Sequence, residues 1–303
     1  MSLSILPPEL LRHIFSFLRP ESHIHPTFAF TNNDLYQCSL VCSTWRSNAF
    51  PFLFYHLDIR FDNRLFVKQL HFLSTFSSPD CATQAPHPYS PHIRTIHLNF
   101  HHNCLQLNLS CASSLALTLL RPLTPTQLVE VTIDCDERPC SCDASCLTAC
   151  ITQLASSLRR LQSCHITYCS FGTLMSVLDP VFAALPEQSL QEISIRYLSR
   201  THKRNPPPIP SSPDQYPDLA RLRNIHAASF IGLRWPPEVL ACALRVWGEG
   251  LRDLSVVASP GLVEPVVLEA LRDACPSLEP TDIDSSSGHL TGVMRRNRVS
   301  VSC

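Results

Sequence analysis

Residues 190–195 read Leu-Gln-Glu-Ile-Ser-Ile, with apolar side chains at Leu190, Ile193 and Ile195 and polar ones between. In an extended chain successive side chains point to opposite faces, so Ile193 and Ile195 share one face while Glu192 and Ser194 share the other. The same spacing recurs at Phe54/Leu57/Ile59, Ile93/Ile96/Leu98, Leu128/Val131/Ile133, Leu161/Cys164/Ile166, Leu222/Ile225/Ala227 and Leu251/Leu254/Val256. A weaker copy stands at Leu278/Thr281/Ile283. Successive copies begin 27 to 39 residues apart, room for a helix in each interval.

Helical patterning fills those intervals at 64–76, 113–121, 144–157, 172–185, 236–249 and 265–275. Short strands alternating with helices need a crossover each time, which makes the strands parallel. The spacing is a loosened form of the leucine-rich-repeat strand signature. The expected fold class is therefore α/β, an irregular leucine-rich-repeat-like right-handed solenoid preceded by a small all-α module of three helices. A closed α/β sandwich with parallel strands is the alternative with the same alternation. The domain organisation reads as a helical module over 1–53, the solenoid over 54–284, and a disordered tail over 285–303 carrying Arg295, Arg296 and Arg298. The Pro- and Ser-rich stretches 77–92 and 199–217 read as mobile surface loops.

The helical module begins with Leu-Pro-Pro-Glu-Leu-Leu-Arg-His-Ile-Phe-Ser-Phe-Leu over 6–18. Pro7 and Pro8 suit a helix start, where a missing N–H is harmless. Leu10, Leu11, Ile14, Phe15, Phe17 and Leu18 then cover an arc of roughly 160°, wider than the ~100° stripe a core-facing surface helix needs. A second helix is expected through Leu35, Cys38, Val41 and Cys42, and a third, with Trp45 and Phe50, broken at Pro51. Three short helices bury little surface by themselves, so part of this apolar face needs a partner.

These segments, LPxELLxxIFxxL, DLxxxSLVCxxWR and the run into Phe-Tyr-His-Leu-Asp-Ile, together resemble the F-box family over about residues 4 to 59. The resemblance implies binding to a Skp-family adaptor, and through it to a cullin, by a non-catalytic subunit of a ubiquitin ligase; a repeat scaffold for protein–protein interaction that never meets a ligase is the alternative. Leu6, Pro7, Leu10, Ile14, Leu18, Leu35, Leu40, Val41, Cys42 and Trp45 match the motif and would supply the module's core and adaptor face. The stretch from Arg19 to Asn33 is longer than the family's usual connection between the first two helices.

Net charge −1 and pI near 6.9 provide no broad positive field for nucleic acid or anionic lipid. The start of the chain lacks a basic, apolar leader, and no uncharged apolar run of about 18 residues occurs. A cytoplasmic or nuclear setting is expected, with most of the 15 cysteines acting as free, small core hydrophobes. Of the 24 basic residues only Lys68 and Lys203 are lysine.

In the solenoid reading the third and fifth template positions line a polar concave face, including His97, Glu130, Thr132, His165, Glu192, Ser194, His226 and Asp253. An unknown protein target would be read there. Cys135, Cys140, Cys142, Cys146 and Cys150 form a cluster without the paired C-x2-C spacing of a zinc knuckle, so free thiols and no metal are the expectation, with a zinc-binding protein built on this cluster as the alternative reading. Seven glycines in all, no phosphate-cradling loop, no GxSxG and no HExxH leave no catalytic constellation, and no cofactor is implied.

Overall fold

The computed structural model describes residues 6–18, 33–60, 90–100, 127–135, 154, 158–168, 181–197, 216–233, 235–257, 259, 264–276, 278–284 and 291–295. Three helices come first: α1 (Pro8–Phe17), α2 (Asn33–Val41) and α3 (Ser43–Leu53). Leu11 and Phe15, one turn apart on α1, are buried with Leu35 of α2 and Ala49 of α3. Trp45 meets Phe15 edge-on at 5.5 Å between ring centroids. The second helix stops one residue before Cys42, which is extended (φ −163°, ψ 173°) and whose Sγ accepts the Trp45 N–H at 3.5 Å as a weak cap for α3. The expected break at Pro51 does not occur. Pro51 lies in the last turn, where it removes a single helical bond, and Phe54 N–H still donates to Phe50 O at 3.0 Å.

The sheet follows α3 at once. Its strands are β1 (His56–Arg60), β2 (Thr95–Phe100), β3 (Glu130–Cys135), β4 (Ser163–Tyr168), β5 (Glu192–Tyr197), β6 (Ala227–Ile231) and β7 (Asp253–Val257), then β8 (Glu279–Asp284) and β9 (Thr291–Arg295). The first seven are parallel and adjacent in chain order. The order ends β7-β9-β8, with both last pairings antiparallel, and β1 is not joined to β8. The sheet is open, unlike a closed alternative. Between β6 and β7 runs α4 (Pro237–Trp247), and between β7 and β8 runs α5 (Pro265–Ala274). These match the intervals expected at 236–249 and 265–275, and Leu154 and 181–184 are helical within two others; 64–76 and 113–121 lie outside the described residues.

The register explains the spacing seen in the sequence. Ile96, Val131, Cys164, Ile193, Ala228 and Leu254 form one buried row, and Ile59, Leu98, Ile133, Ile166, Ile195, Phe230 and Val256 another. Each Val, Leu, Ile or Phe among them contributes about 1.5 to 3 kcal/mol when buried. Ile93, Leu128, Leu161, Leu190, Ile225 and Leu251, also buried, lead into the strands. In the sixth unit the apolar trio is thus Ile225/Ala228/Phe230, three residues beyond the expected Leu222/Ile225/Ala227.

A backbone ladder repeats the same equivalence. The carbonyls of Tyr55, Arg94, Val129, Gln162, Gln191 and His226 each accept two successive N–H groups from the next unit, at 2.7 to 3.1 Å. A carbonyl has two lone pairs, so both bonds are satisfied at each step. Beyond β7 the pattern changes. Leu278/Thr281/Ile283 does not start an eighth parallel unit, because β9 separates β8 from β7. Residues 291–295, expected to be disordered, are that intervening strand. At the end of the stretch expected as a loop over 199–217, Tyr216 and Pro217 are buried, and Tyr216 packs on Trp235 at 5.9 Å. Aromatic burial fixes what a Pro- and Ser-rich composition predicts to be loose; residues 77–89 and 199–215 lie outside the described residues.

Candidate functional site

The matched positions of the helical module divide by burial. Leu35 is fully buried, and Leu6, Leu18, Cys42 and Trp45 are half-buried, with Leu6, Leu18 and Trp45 packed on the Leu11/Phe15/Leu35/Ala49 cluster. Leu35 therefore belongs to the core and has no surface to offer an adaptor. Pro7 is exposed. Leu10, Ile14, Leu40 and Val41 are 45 to 60% exposed, a large fraction for branched apolar side chains. Phe17 and Tyr36 join them at 76% and 41%, two positions that sequence reading left out of the set. On α1, Leu10, Ile14 and Phe17 follow the i, i+4, i+7 spacing of one helix face. Phe17 contacts His13 edge-on at 4.8 Å.

Packing beneath this surface is specific. Arg12 Nε donates to Asn48 Oδ1 at 2.9 Å, joining α1 to α3, while Asn48 Nδ2 donates to Thr44 O at 2.8 Å. Arg46 Nε donates to Ser39 O at 3.1 Å and closes the α2–α3 corner. Polar bonds and the aromatic contact thus hold the helices together while apolar side chains point outward.

The second candidate surface is the polar face of the sheet. Its central row runs Asp58, His97, Thr132, His165, Ser194, Ser229 and Ser255, each laterally paired with the next. A neighbouring row carries His56, Thr95, Glu130, Ser163, Glu192, Ala227 and Asp253. Glu192 and Asp253 are exposed, and Glu130, Thr132, His165 and Ser194 are half-buried. His226 is not a member. It sits one residue before β6 as a backbone ladder position, and Ser229 takes the place expected for it.

His97 also departs from its expected part. Only 4% exposed, it places Nε2 2.8 Å from Asp134 Oδ2 and Nδ1 3.4 Å from Asp58 Oδ1. A ring bracketed by two carboxylates of neighbouring strands ties β1, β2 and β3 together and presents little surface to a partner. Beside it, His56 Nδ1 and Thr95 Oγ1 share a hydrogen bond at 2.6 Å.

No group of three or more His, Cys, Asp or Glu among the described residues could hold a metal ion. Most of the cysteine cluster of 135–150 lies outside those residues. Cys164 and Cys275 are free thiols in the sheet–helix core, and burial pushes them up to about 12 and about 11. Cys242 is free and exposed. No helix of the described residues is long and apolar enough to cross a membrane.

A comparison with curated proteins finds no match to the chain. The family model of F-box-like domains matches residues 3–60, a span that takes in α1, α2, α3 and the whole of β1. Residues 3–60 therefore form an F-box-like domain whose final strand is also the first strand of the sheet.

Proposed function

We propose that the protein is a non-catalytic substrate-recognition subunit of a Skp-cullin-F-box type ubiquitin ligase, working in the cytoplasm or nucleus. Its F-box-like domain docks on a Skp-family adaptor, and its repeat-like α/β domain, read as a leucine-rich-repeat-like solenoid, holds a target protein. The observation that carries this reading is the distribution of exposed apolar side chains. Eight large hydrophobics are exposed among the described residues, and six of them (Leu10, Ile14, Phe17, Tyr36, Leu40 and Val41) lie on α1 and α2. Leaving that much apolar surface in water on two short helices is unfavourable unless a partner covers it.

Target recognition is assigned to the polar sheet face, where Glu130, Thr132, His165, Glu192, Ser194 and Asp253 retain accessible surface. The mechanism is effective concentration: adaptor and target are held on one body, so transfer becomes in effect intramolecular. Capture on immobilised, purified Skp-family adaptor tests the reading. The full chain should bind, and the double variant Leu10→Ala/Ile14→Ala should lose binding while keeping its thermal midpoint. Failure of the wild-type chain to bind would overturn it.

A further inference from the structure

The chain's basic residues are almost all arginine: 22 of 24, with lysine only at Lys68 and Lys203. None of the described residues is a lysine. At some positions the structure gives a reason for arginine. Arg12, Arg46 and Arg94 donate to Asn48 Oδ1, Ser39 O and Gln127 O, and the Arg221 guanidinium bonds the carbonyls of Phe182, Ala183 and Leu185. A forked planar donor suits such sites, and a lysine ammonium does not reproduce it.

That reason does not extend to the surface. Arg159, Arg196, Arg223, Arg245, Arg252 and Arg272 are exposed, and among the described residues none of them has a side-chain hydrogen-bond or ion-pair partner. At these positions lysine would serve solubility and charge equally well. What separates the two residues there is nucleophilicity. A lysine amine can lose its proton and attack a carbonyl, whereas a guanidinium stays protonated.

We infer that this surface is depleted of amines so that the protein resists ubiquitin transfer to itself while it holds a target; the inference rests on the ligase reading above. In the transfer step an amine nitrogen attacks the carbonyl carbon of a ubiquitin thioester carried by the charged enzyme. A C–N bond forms, the C–S bond breaks, the enzyme cysteine leaves as thiolate, and the amine proton passes to solvent. A receptor fixed beside that thioester would be the acceptor at highest effective concentration if it offered amines. Arginine keeps the charge and removes the nucleophile.

The test is a reconstituted ligase assay with the full chain, adaptor, cullin–RING scaffold and charged enzyme, with modified sites mapped by mass spectrometry. The comparison variant is Arg159→Lys/Arg223→Lys/Arg252→Lys, which preserves charge at three exposed positions. Expected results are slow self-modification of the wild type confined to Lys68, Lys203 and the chain's α-amino group, and a rise of at least about threefold in the variant, located at the new lysines. Equal rates for the two proteins, or fast wild-type modification at other side chains, would overturn the inference. Adaptor capture is measured on the same samples. Loss of capture by the wild type sinks the ligase reading and this inference together, whereas capture with equal rates sinks this inference alone.

Discussion

The N–H of Arg94 donates to the carbonyl of Tyr55 at 2.9 Å, and Tyr55 lies between the last helix of the F-box-like domain and β1. The first step of the sheet's backbone ladder is thus made at the junction between the helices and the sheet. Arg94→Pro removes the donor and should cost about 1 to 3 kcal/mol. Chemical denaturation should show one transition moved to lower denaturant. Two transitions, with the helical one unmoved, would mean that the helices and the sheet unfold independently.

Phe15 and Phe17 are two residues apart on α1 and differ completely in surroundings: 0% exposed against 76%. Phe15→Ala should destabilise by about 3 to 5 kcal/mol, enough to unfold the helical module. Phe17→Ala should change stability by less than about 0.5 kcal/mol and weaken adaptor capture. Thermal melts and capture assays on the two single variants separate these outcomes.

At Gly232 the backbone has φ +71°, and an added Cβ would lie 2.6 Å from Tyr197 O. The Gly232 N–H also donates to Val257 O at 2.8 Å, so the turn after β6 is pinned between β5 and β7. Both left-handed backbone and close approach demand glycine here. Gly232→Ala should lower stability by about 1 to 3 kcal/mol, read as a reduced thermal midpoint.

Burial raises Cys164 and Cys275 to about 12 and about 11, so neither forms a thiolate in the native protein near pH 8. A thiol alkylator at that pH should label exposed Cys242 well before either, and labelling of Cys164 should track global unfolding. The native state holds these protons where the unfolded chain releases them, so stability is retained below the ordinary thiol value of 9.0 and falls as pH rises from there toward about 12.

Removing the imidazole in His97→Leu leaves the carboxylates of Asp58 and Asp134 on either side of an apolar group, with Asp58 only 8% exposed. A loss of about 1 to 3 kcal/mol is expected. His97→Gln, which can still donate to Asp134, should lose less. Equal loss in both variants would show that ring volume, not the polar bridge, is what β2 needs.

The strands were legible in the sequence because each carries two inward apolar residues after an anchoring one, and parallel packing reads that spacing directly. The sixth unit slipped by three because Leu-Arg-Asn-Ile-His-Ala-Ala-Ser-Phe over 222–230 fits two overlapping frames, and alanine in an apolar slot does not choose between them. Phe230 settles it by stacking on Trp247, a residue of the following helix that spacing within one strand cannot see. The strand β9 was missed because Thr-Gly-Val-Met-Arg alternates too weakly to read as extended. For the helical module the motif identified the residues but not their exposure. Leu35 and Leu40 are both leucines at matched positions of one helix, and only packing against α1 and α3 makes the first a core residue. The burial of His97 depends on Asp58 and Asp134, 39 residues before and 37 after it, which are neighbours only through the parallel register.

Direct continuation of α3 into β1 also makes the molecule a ruler. Neighbouring strands lie about 4.8 Å apart, so the six steps from β1 to β7 measure roughly 29 Å along the sheet. Under the ligase function proposed above, a target held at Glu192 or Asp253 would stand four or six rungs from the F-box-like end, with Tyr55 O bonded to both the Arg94 and Thr95 N–H groups at the junction. Inserting or deleting one unit would move that target by about one rung, roughly 5 Å, and change its distance to the charged enzyme by a fixed increment.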